Sequence, residues 1–287
     1  MFGDMRLRTL VSPVLALLVA VGAAACEPVP EVPTSTTTAP TAPTTTTTEA
    51  PAAPRLIGGD EFGGSMLDGA KWKAYSSTYG NSGGGSKHCL TPANVAVSDG
   101  TLKITSKRQT TTCPDGSVQP YSSGFIGSRD AGRFYPLEGT FTVRAKVPHA
   151  QGIWPAFWLR HRNGAGVAEV DVMEMFHSQV PGKASHALHL DGEVNSAHGS
   201  FPLEAPTATP GWHEFSVRID RLDADKDGAS DDVRFDFSID GKTTLSYVDL
   251  NPRWVNAADP AATWDVALNT AVDGRWVGSP DGVLGQL

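Results

Sequence analysis

The sequence predicts an all-β fold for residues 55–287, a two-sheet antiparallel β-sandwich. Three stretches support this prediction, because each alternates apolar and polar residues with the period of two that half-buried strands show. These stretches are 140–147, 213–219 and 233–239. The third ends at Asp240-Gly241, a dipeptide typical of a tight hairpin turn. No long segment has helical periodicity, and the length suits one all-β domain, which commonly has about 200–250 residues.

The N-terminal segment predicts export from the cell. Arg6 and Arg8 precede an apolar run at 14–25, which is too short for a membrane span and suits a signal peptide over residues 1–26. Two processing routes remain open after this run. Ordinary cleavage would release the protein, whereas a lipoprotein pathway would attach a lipid to Cys26. We therefore expect an extracellular protein, either secreted or lipid-anchored at the cell surface, with membrane contact only through a lipid on Cys26.

Residues 27–54 predict a linker between the export signal and the folded domain. This segment consists mainly of Pro, Thr and Ala and contains no aromatic residue. Such a composition cannot bury enough apolar surface to fold. We expect an extended stalk that acts as a spacer.

Charge and cysteine content limit the partners that the chain can have. The formal net charge is −8, which argues against nucleic acid or an anionic membrane surface as a partner. A neutral partner is compatible with this charge, and we expect the domain to act as a monomer. With Cys26 set aside, Cys89 and Cys113 are the remaining cysteines, so an oxidising compartment predicts a disulfide between them.

Three carboxylates, Glu169, Asp171 and Glu174, lie within six residues of an otherwise apolar stretch. In an extended strand Glu169 and Asp171 point to one face and Glu174 to the other, because side chains alternate. One bulge residue at Val172 or Met173 would return Glu174 to the face of the other two, since a bulge sets two residues against one. The predicted result is a ladder of three acids on one sheet face.

The ladder of acids has two interpretations. A solvated strand face would also alternate charged and apolar residues, but the interleaved Val170, Val172, Met173 and Met175 indicate a strand that is buried on its other side. Neighbouring carboxylates raise one another's pKa, and two carboxyl groups with different pKa values are what glycoside hydrolysis requires. Residues i and i+2 of a strand lie about 6.6 Å apart at the backbone, so one strand can supply such a pair. The pattern favours catalysis.

Motifs along the chain resemble those of glycoside hydrolase family 16, the group of laminarinases, agarases and carrageenases. The resemblance is carried by E-x-D-x-x-E at Glu169, Asp171 and Glu174, G-I-W-P-A-F-W-L at 152–159, D-E-F at 60–62 with L-D at 67–68 and K-W at 71–72, Y-S-S-G at 121–124, and T-A-V-D-G-R-W at 270–276 with G-S-P-D at 278–281. The two residues before the last Glu resemble the bulged branch of the family rather than the unbulged lichenase branch.

The resemblance implies a jelly roll of the concanavalin A-like type with a concave sugar-binding face. It implies Glu169 as nucleophile, Glu174 as general acid and base, and Asp171 as a hydrogen-bond partner of the nucleophile. The implied activity is that of a retaining endo-glycoside hydrolase of β-linked polysaccharide, with β-1,3-glucan of the laminarin type as the first substrate. Three alternatives stay open: a transglycosylase with the same acids, a galactan hydrolase acting on agar or carrageenan, and a non-catalytic cell-surface carbohydrate-binding module.

Five further residues are candidates for substrate binding: Trp154, Trp158, His189, Asn269 and Trp276. The first two share a strand face, and indole rings stack on pyranose faces, although Trp is also often largely buried in cores. His189, together with His186, resembles the family's H-G-x-x-H segment and would contact substrate or Glu174, or serve only in packing. The remaining two match positions near the cleft in the family's late motif, where packing is the alternative role.

An acidic loop at 223–228 resembles the D-x-D-x-D-G opening of a calcium loop, with Asp223, Asp225 and Asp227 as the ligands. Its twelfth position is Arg234, where an EF-hand has a bidentate Glu. The choice between a structural calcium site and a solvated acidic hairpin therefore stays open. The chemistry implied for the three acids requires no cofactor.

The family's closing strand is the one motif without a counterpart. Its V-D-Y-V-R-V-Y-like sequence has no match before Leu287. We therefore expect a catalytic domain without this last strand, or one in which another segment covers the sheet edge, because an unpaired edge invites aggregation.

Overall fold

The computed structural model describes residues 55–80, 84–148, 150–161, 168–176, 182–190, 193–202, 211–255 and 259–280. The predicted signal peptide, the linker and Cys26 lie outside these residues. Within the described part of the chain, no helix has both the length and the apolar composition needed to cross a membrane.

Strands dominate the described residues, as the alternating sequence pattern predicts. In chain order they are β1 (Lys73–Ala74), β2 (His88–Leu90), β3 (Val95–Ser98), β4 (Thr101–Ile104), β5 (Lys107–Thr112), β6 (Val118–Ser123), β7 (Phe125–Gly127), β8 (Gly139–Lys146), β9 (Ile153–His161), β10 (Ala168–Glu174), β11 (Lys183–Leu190), β12 (Glu193–Pro202), β13 (Trp212–Leu222), β14 (Asp232–Ile239), β15 (Lys242–Asp249) and β16 (Trp264–Val272). Three-residue 3₁₀ turns lie at Pro92–Asn94, Arg129–Ala131, Pro252–Trp254 and Pro260–Ala262.

Two antiparallel sheets form the body of the domain. The larger has seven strands in the order β1-β7-β16-β9-β10-β11-β12, and the smaller has four in the order β15-β14-β13-β8. The predicted all-β sandwich is confirmed. A three-stranded sheet, β2-β6-β5, and the β3-β4 pair complete the strand pairing of the described residues. The strand with the three acids, β10, is an interior strand of the larger sheet.

One core joins the two sheets. Leu159 and Val170 of the larger sheet belong to the same buried cluster as Phe215, Phe235 and Phe237 of the smaller sheet. All five side chains are fully buried, and each contributes about 1.5–3 kcal/mol relative to an exposed position. The inward residues of β13 and β14 are those that the alternating pattern assigns to the core.

The hairpin predicted after β14 is present. Asp240 and Gly241 have φ values of +50° and +75°, which is the left-handed pair that a type I′ turn requires. The turn connects β14 to β15, whose residues pair in antiparallel register from Val233 opposite Asp249 to Ile239 opposite Lys242. This edge hairpin completes the smaller sheet.

A disulfide joins Cys89 of β2 to Cys113 beyond the end of β5, with the Cα atoms 5.4 Å apart. Both cysteines are buried. The bridge ties the segment after β5 to β2, and β2 supplies part of the wall of the cavity described below.

Candidate active site

A bulge in β10 brings the three acids to one face of the larger sheet. Glu169 lies opposite His189 of β11, and Asp171 opposite Ala187, but Glu174 lies opposite Ser185. Two residues of β10 therefore face one residue of β11, which is the two-against-one pairing of a β-bulge. The same irregularity lies between Asp171 and Met173 on the β9 side. The bulge at 172–173 is the one that the sequence predicts, and it returns Glu174 to the face of the other two acids.

The three acids line one cavity with a volume of about 400 Å³. Aromatic, apolar and polar groups form its walls. Besides the acids they are Tyr79, Gly80, Gly84, Ser86, His88, Leu90, Phe125, Trp154, Ala156, Trp158, Asn269 and Ala271. A concave site with aromatic walls and a few convergent polar groups is the usual form of a small-molecule or sugar site. The acids therefore lie where a ligand can reach them.

Glu174 is a buried carboxyl group with one hydrogen-bond donor from the neighbouring strand. Trp154 Nε1 donates to Glu174 Oε1 over 2.9 Å. Burial raises the pKa of Glu174 well above its ordinary value, the negative charges of Asp171 and Glu169 raise it further, and the Trp154 hydrogen bond lowers it in part. A carboxyl group in this environment keeps its proton to a higher pH than an exposed one, as a general acid requires.

Asp171 is also buried, and its Oδ2 has no hydrogen-bond partner. His189 Nε2 lies 2.9 Å from this oxygen, at ion-pair distance but without the alignment of a hydrogen bond. Burial, followed by the negative charge of Glu169, raises the pKa of Asp171 well above its ordinary value. The hydrogen bond from Asp171 to the nucleophile that the family resemblance implies stays a prediction.

Glu169 differs from the other two acids in its neighbours. Burial raises its pKa, while the positive charges of His189 and Arg160 lower it. Arg160 of β9 lies directly opposite Glu169. Among the described residues, His189 is the cation that acts on Glu174, and its effect is the weakest of those on this carboxyl group. Glu169 is therefore the acid that ionises most readily, as a nucleophile requires.

Arg160 is held in place by a fully buried carboxylate. Its Nε donates to Asp265 Oδ2 over 2.8 Å, and Arg129 Nε donates to Asp265 Oδ1 over 2.8 Å. Arg160 also donates to Tyr75 Oη over 3.2 Å and lies over the ring of Trp158, 5.2 Å from its centroid. Two cations thus share one buried anion, and the surplus positive charge lies beside Glu169.

Three of the five predicted binding residues line the cavity: Trp154, Trp158 and Asn269. Trp158 Nε1 donates to Asn269 Oδ1 over 2.7 Å, so these two fix each other's orientation. The other two, His189 and Trp276, are not among its lining residues. His189 contacts Asp171 instead, and Trp276 is 44% exposed and lies close to Gly84 at the rim.

The cavity also contains residues that the sequence did not single out. Tyr79 stacks on Trp158 with ring centroids 6.3 Å apart, and Phe125 meets the same indole edge-on. His88 is buried in the wall, which lowers its pKa to about 4. Arg160 could have been found, because it continues the face of Trp154, Ala156 and Trp158 along β9. No local sequence pattern predicts that Tyr79, Phe125 and His88 line the cavity.

The acidic loop brings its three predicted ligands together. The carboxylates of Asp223, Asp225 and Asp227 offer atoms within 4.8 Å of one another, and all three residues are exposed. Loop N–H groups already occupy some of these oxygens: Asp227 N donates to Asp225 Oδ1 and Ala229 N to Asp227 Oδ1. The loop geometry is compatible with a cation and equally with a self-capped acidic turn.

Comparison with protein families places these features in a known group. The family model described as glycosyl hydrolases family 16 matches residues 85–221, which include β10 and its bulge. A solved endo-beta-1,3-glucanase from Pyrococcus furiosus is 25% identical with a TM-score of 0.64, covering 80% of this chain and 89% of that one. The likeness in fold therefore extends over most of the described domain.

Two curated relatives are similar over parts of their length. Glucan endo-1,3-beta-glucosidase A1 of Niallia circulans is 30% identical over 255 residues, which are 79% of this chain and 35% of the relative. Endo-1,3-1,4-beta-glycanase EglC of Rhizobium meliloti (strain 1021) is 33% identical over 123 residues, which are 42% of this chain and 26% of the relative. The chain thus spans about a third or less of these relatives.

Proposed function

Because the chain belongs to glycosyl hydrolase family 16, we propose that it is a retaining endo-glycoside hydrolase that cleaves β-linked glucan. The observation that carries this proposal is the β10 bulge, which turns an alternating strand into a face with three acids in one cavity. A packing role would not need carboxyl groups at these positions, since buried charges are costly unless they are paired.

The mechanism follows from the different environments of the two glutamates. Glu169, next to Arg160, attacks the anomeric carbon as a carboxylate, while Glu174 transfers its proton to the departing glycosidic oxygen. This step forms an ester between Glu169 and the sugar and leaves Glu174 ionised. Glu174 then removes a proton from water, which attacks the same carbon and releases Glu169. Two inversions give net retention of the β configuration.

The cavity walls provide the binding surface for the sugar rings. Trp158 and Tyr79 present aromatic surface beside the acids, and Trp154 holds Glu174 at the opposite end of the ladder. Asn269, bonded to Trp158, offers a polar group within the same wall. We propose β-1,3-glucan as the preferred substrate, because two of the relatives above carry that linkage in their names and the third acts on a 1,3-1,4 glycan.

The experiment that tests the proposal measures reducing sugar released by the purified protein from laminarin, lichenan, agarose and κ-carrageenan. Glu169→Gln serves as the control for contaminating activity, because it preserves shape and removes the nucleophile. Proton NMR of the first product determines the anomer. We expect release from laminarin, absence of release in the variant, and the β anomer as the initial product.

Other outcomes discriminate the alternatives. Release from agarose or κ-carrageenan alone would show a galactan hydrolase, and products longer than the substrate would show transglycosylation, since a glycosyl-enzyme can pass its sugar to an acceptor. Binding of a glucan by the folded protein without any bond cleavage or transfer would contradict the enzymatic proposal. It would favour a carbohydrate-binding module.

We propose that the acids act without a cofactor and that the loop of Asp223, Asp225 and Asp227 is a surface feature that could hold calcium only as a structural ion. Thermal unfolding in EDTA and in millimolar calcium tests the ion. A higher melting temperature in calcium that Asp225→Asn abolishes would support a site there. Equal melting temperatures would favour the self-capped acidic turn.

We also propose that the protein is exported and acts outside the cell as a monomer. The apolar run after Arg6 and Arg8 and the stalk of residues 27–54 support export. Cell fractionation of the full chain and of Cys26→Ala decides between the two routes. A membrane-bound protein that becomes soluble in the variant would show lipid anchoring, and a soluble protein in both cases would show secretion.

A further inference from the structure

A buried histidine lies opposite the bulge that orients Glu174. Asp171 faces Ala187 and Glu174 faces Ser185, so His186 is the single β11 residue that faces Val172 and Met173. Its two neighbours share the sheet face of the acids, and its own side chain points to the other side, into the core between the sheets. The imidazole is fully buried.

The bulge leaves Val172 without a register partner on β9 or on β11. Its carbonyl oxygen is buried with its residue, and a buried backbone carbonyl without a donor is costly. His186 Nδ1 lies 2.6 Å from this oxygen. The histidine therefore supplies a hydrogen-bond donor to the carbonyl at the irregular position of the ladder.

The second ring nitrogen of His186 connects to the other sheet. His186 Nε2 lies 2.9 Å from Thr244 Oγ1 of β15. The ring also stacks on Phe237 of β14, with centroids 4.8 Å apart and an interplanar angle of 24°. The smaller sheet thus fixes the position and the plane of the imidazole.

The chemistry of the partners determines the tautomer. A carbonyl oxygen can only accept, so the proton of the neutral ring is on Nδ1. Nε2 then accepts from the Thr244 hydroxyl over 2.9 Å, and the single proton of that hydroxyl is shared with the Phe237 carbonyl, 3.2 Å away. Burial lowers the pKa of His186 to about 4, so the ring stays neutral at neutral pH and keeps both roles. A neutral ring also suits its partners, the Val172 carbonyl, the Thr244 hydroxyl and the Phe237 ring, which carry no charge.

We propose that His186 is a positioning residue that holds the β10 bulge through the Val172 carbonyl and thereby keeps the carboxyl group of Glu174 in the cavity. The effect of His186 on catalysis rests on the proposed function, whereas its effect on the bulge does not. Without the Nδ1 donor, a shift of the bulge would turn Glu174 away from the cavity face, because a slip of one residue reverses the direction of a strand side chain. Glu169 and Asp171 precede the bulge and would stay in place.

The test compares two substrates that differ in their need for an acid. Hydrolysis of laminarin requires protonation of a sugar leaving group, whereas a dinitrophenyl β-glycoside has a leaving group that departs without a proton. We expect His186→Leu to reduce kcat on laminarin on the order of a hundredfold, the lower range for general acid catalysis. We expect the rate of the glycosylation step with the dinitrophenyl substrate to change only a few-fold.

Two further variants separate positioning from packing. His186→Asn retains an N–H at the same number of bonds from the backbone as Nδ1, so it should restore a large part of the laminarin activity that His186→Leu loses. Phe235→Leu creates space in the same buried core, where the ring contacts Trp254, so it should lower stability without changing the ratio of the two activities. Parallel loss of both activities in His186→Leu, or no rescue by His186→Asn, would overturn the proposal.

A crystal structure of His186→Leu provides a readout that is independent of turnover. A bulge that has moved, with Glu174 outside the cavity, would support the positioning role, and an unchanged bulge would reject it. If the unaltered protein cleaves neither substrate, the proposed hydrolase function fails. The comparison of the two crystal structures would then still decide the role of His186.

Discussion

Trp154 donates its indole N–H to Oε1 of Glu174 across 2.9 Å. An indole nitrogen cannot accept, so Oε1 is the accepting oxygen and the proton of the neutral carboxyl group is carried by Oε2. The acid proton is therefore assigned to one oxygen of Glu174. The same hydrogen bond stabilises the carboxylate that forms after proton transfer, which is why it lowers the pKa of a group that burial raises.

Trp154→Phe should move the basic limb of the pH profile to higher pH. The variant keeps an aromatic ring and removes the N–H, so the pKa of Glu174 rises and the acid stays protonated over a wider range. The measurement is kcat/KM for laminarin as a function of pH. Trp158→Phe is the matched control, because its N–H binds Asn269 instead and its loss should leave this limb unchanged. A basic limb that stays in place or falls in Trp154→Phe would refute the assignment of Glu174 as the acid.

Arg160→Met should move the acidic limb to higher pH. The positive charge of Arg160 lowers the pKa of Glu169, so its removal raises the pH at which the nucleophile becomes ionised. The single change leaves the buried Asp265 with Arg129 as its remaining ion-pair partner, which is costly. The double variant Arg160→Met/Asp265→Asn is the control, because it removes this buried carboxylate as well. The two variants should share the shifted limb and differ in stability. An acidic limb that matches that of the unaltered protein would contradict the electrostatic role of Arg160.

Glu174→Gln should stabilise the fold above the pKa of Glu174. A carboxyl group whose pKa is raised on folding contributes stability below its unfolded pKa and loses that contribution as the pH rises through the folded pKa. The melting temperature of the variant should therefore exceed that of the unaltered protein at pH 8, by about 2–4 °C for each kcal/mol. The difference should shrink towards pH 4. Glu61→Gln, an exposed site, should show no such trend, and a destabilised Glu174→Gln at pH 8 would contradict the prediction.

Loss of the disulfide should lower stability and loosen one wall of the cavity. Cys89 and Cys113 are 24 positions apart, and closing a loop of this length stabilises a fold by about 3 kcal/mol. His88 and Leu90, which flank Cys89, both line the cavity, so Cys89→Ala/Cys113→Ala should also raise KM for laminarin. Urea unfolding and steady-state kinetics measure the two effects. Reductant should reproduce both in the unaltered protein and have no effect on the variant.

Much of the fold follows from local patterns. The alternation in β13 and β14 places Phe215, Phe235 and Phe237 in the core, because a side chain in a strand can face only two ways. Asp240 and Gly241 mark a hairpin for the equally local reason that few residues adopt positive φ. The bulge is also predictable, since it is the simplest way for Glu174 to share a face with Glu169 and Asp171.

The site itself is only partly visible in the sequence. Trp154, Trp158 and Asn269 line the cavity as predicted from motif and face, whereas the position of His189 against Asp171 and of Trp276 at the rim depends on pairing and loop geometry. Adjacent strands bring such residues together, and the sequence alone does not state their register.

By itself, the sequence determined the strand class, the inward faces and the need for an irregularity between Asp171 and Glu174. The groups that surround each acid depend on contacts between residues that are far apart in the chain. Arg160 and Asp265, which form an ion pair, are 105 positions apart in the chain. His186 and Thr244, which are hydrogen-bonded, are 58 positions apart. A pKa and a hydrogen bond depend on distances in space and on exclusion of water, which arise when the sheets pack together. For this reason the three acids could be predicted as a set, while their different protonation states came from the fold.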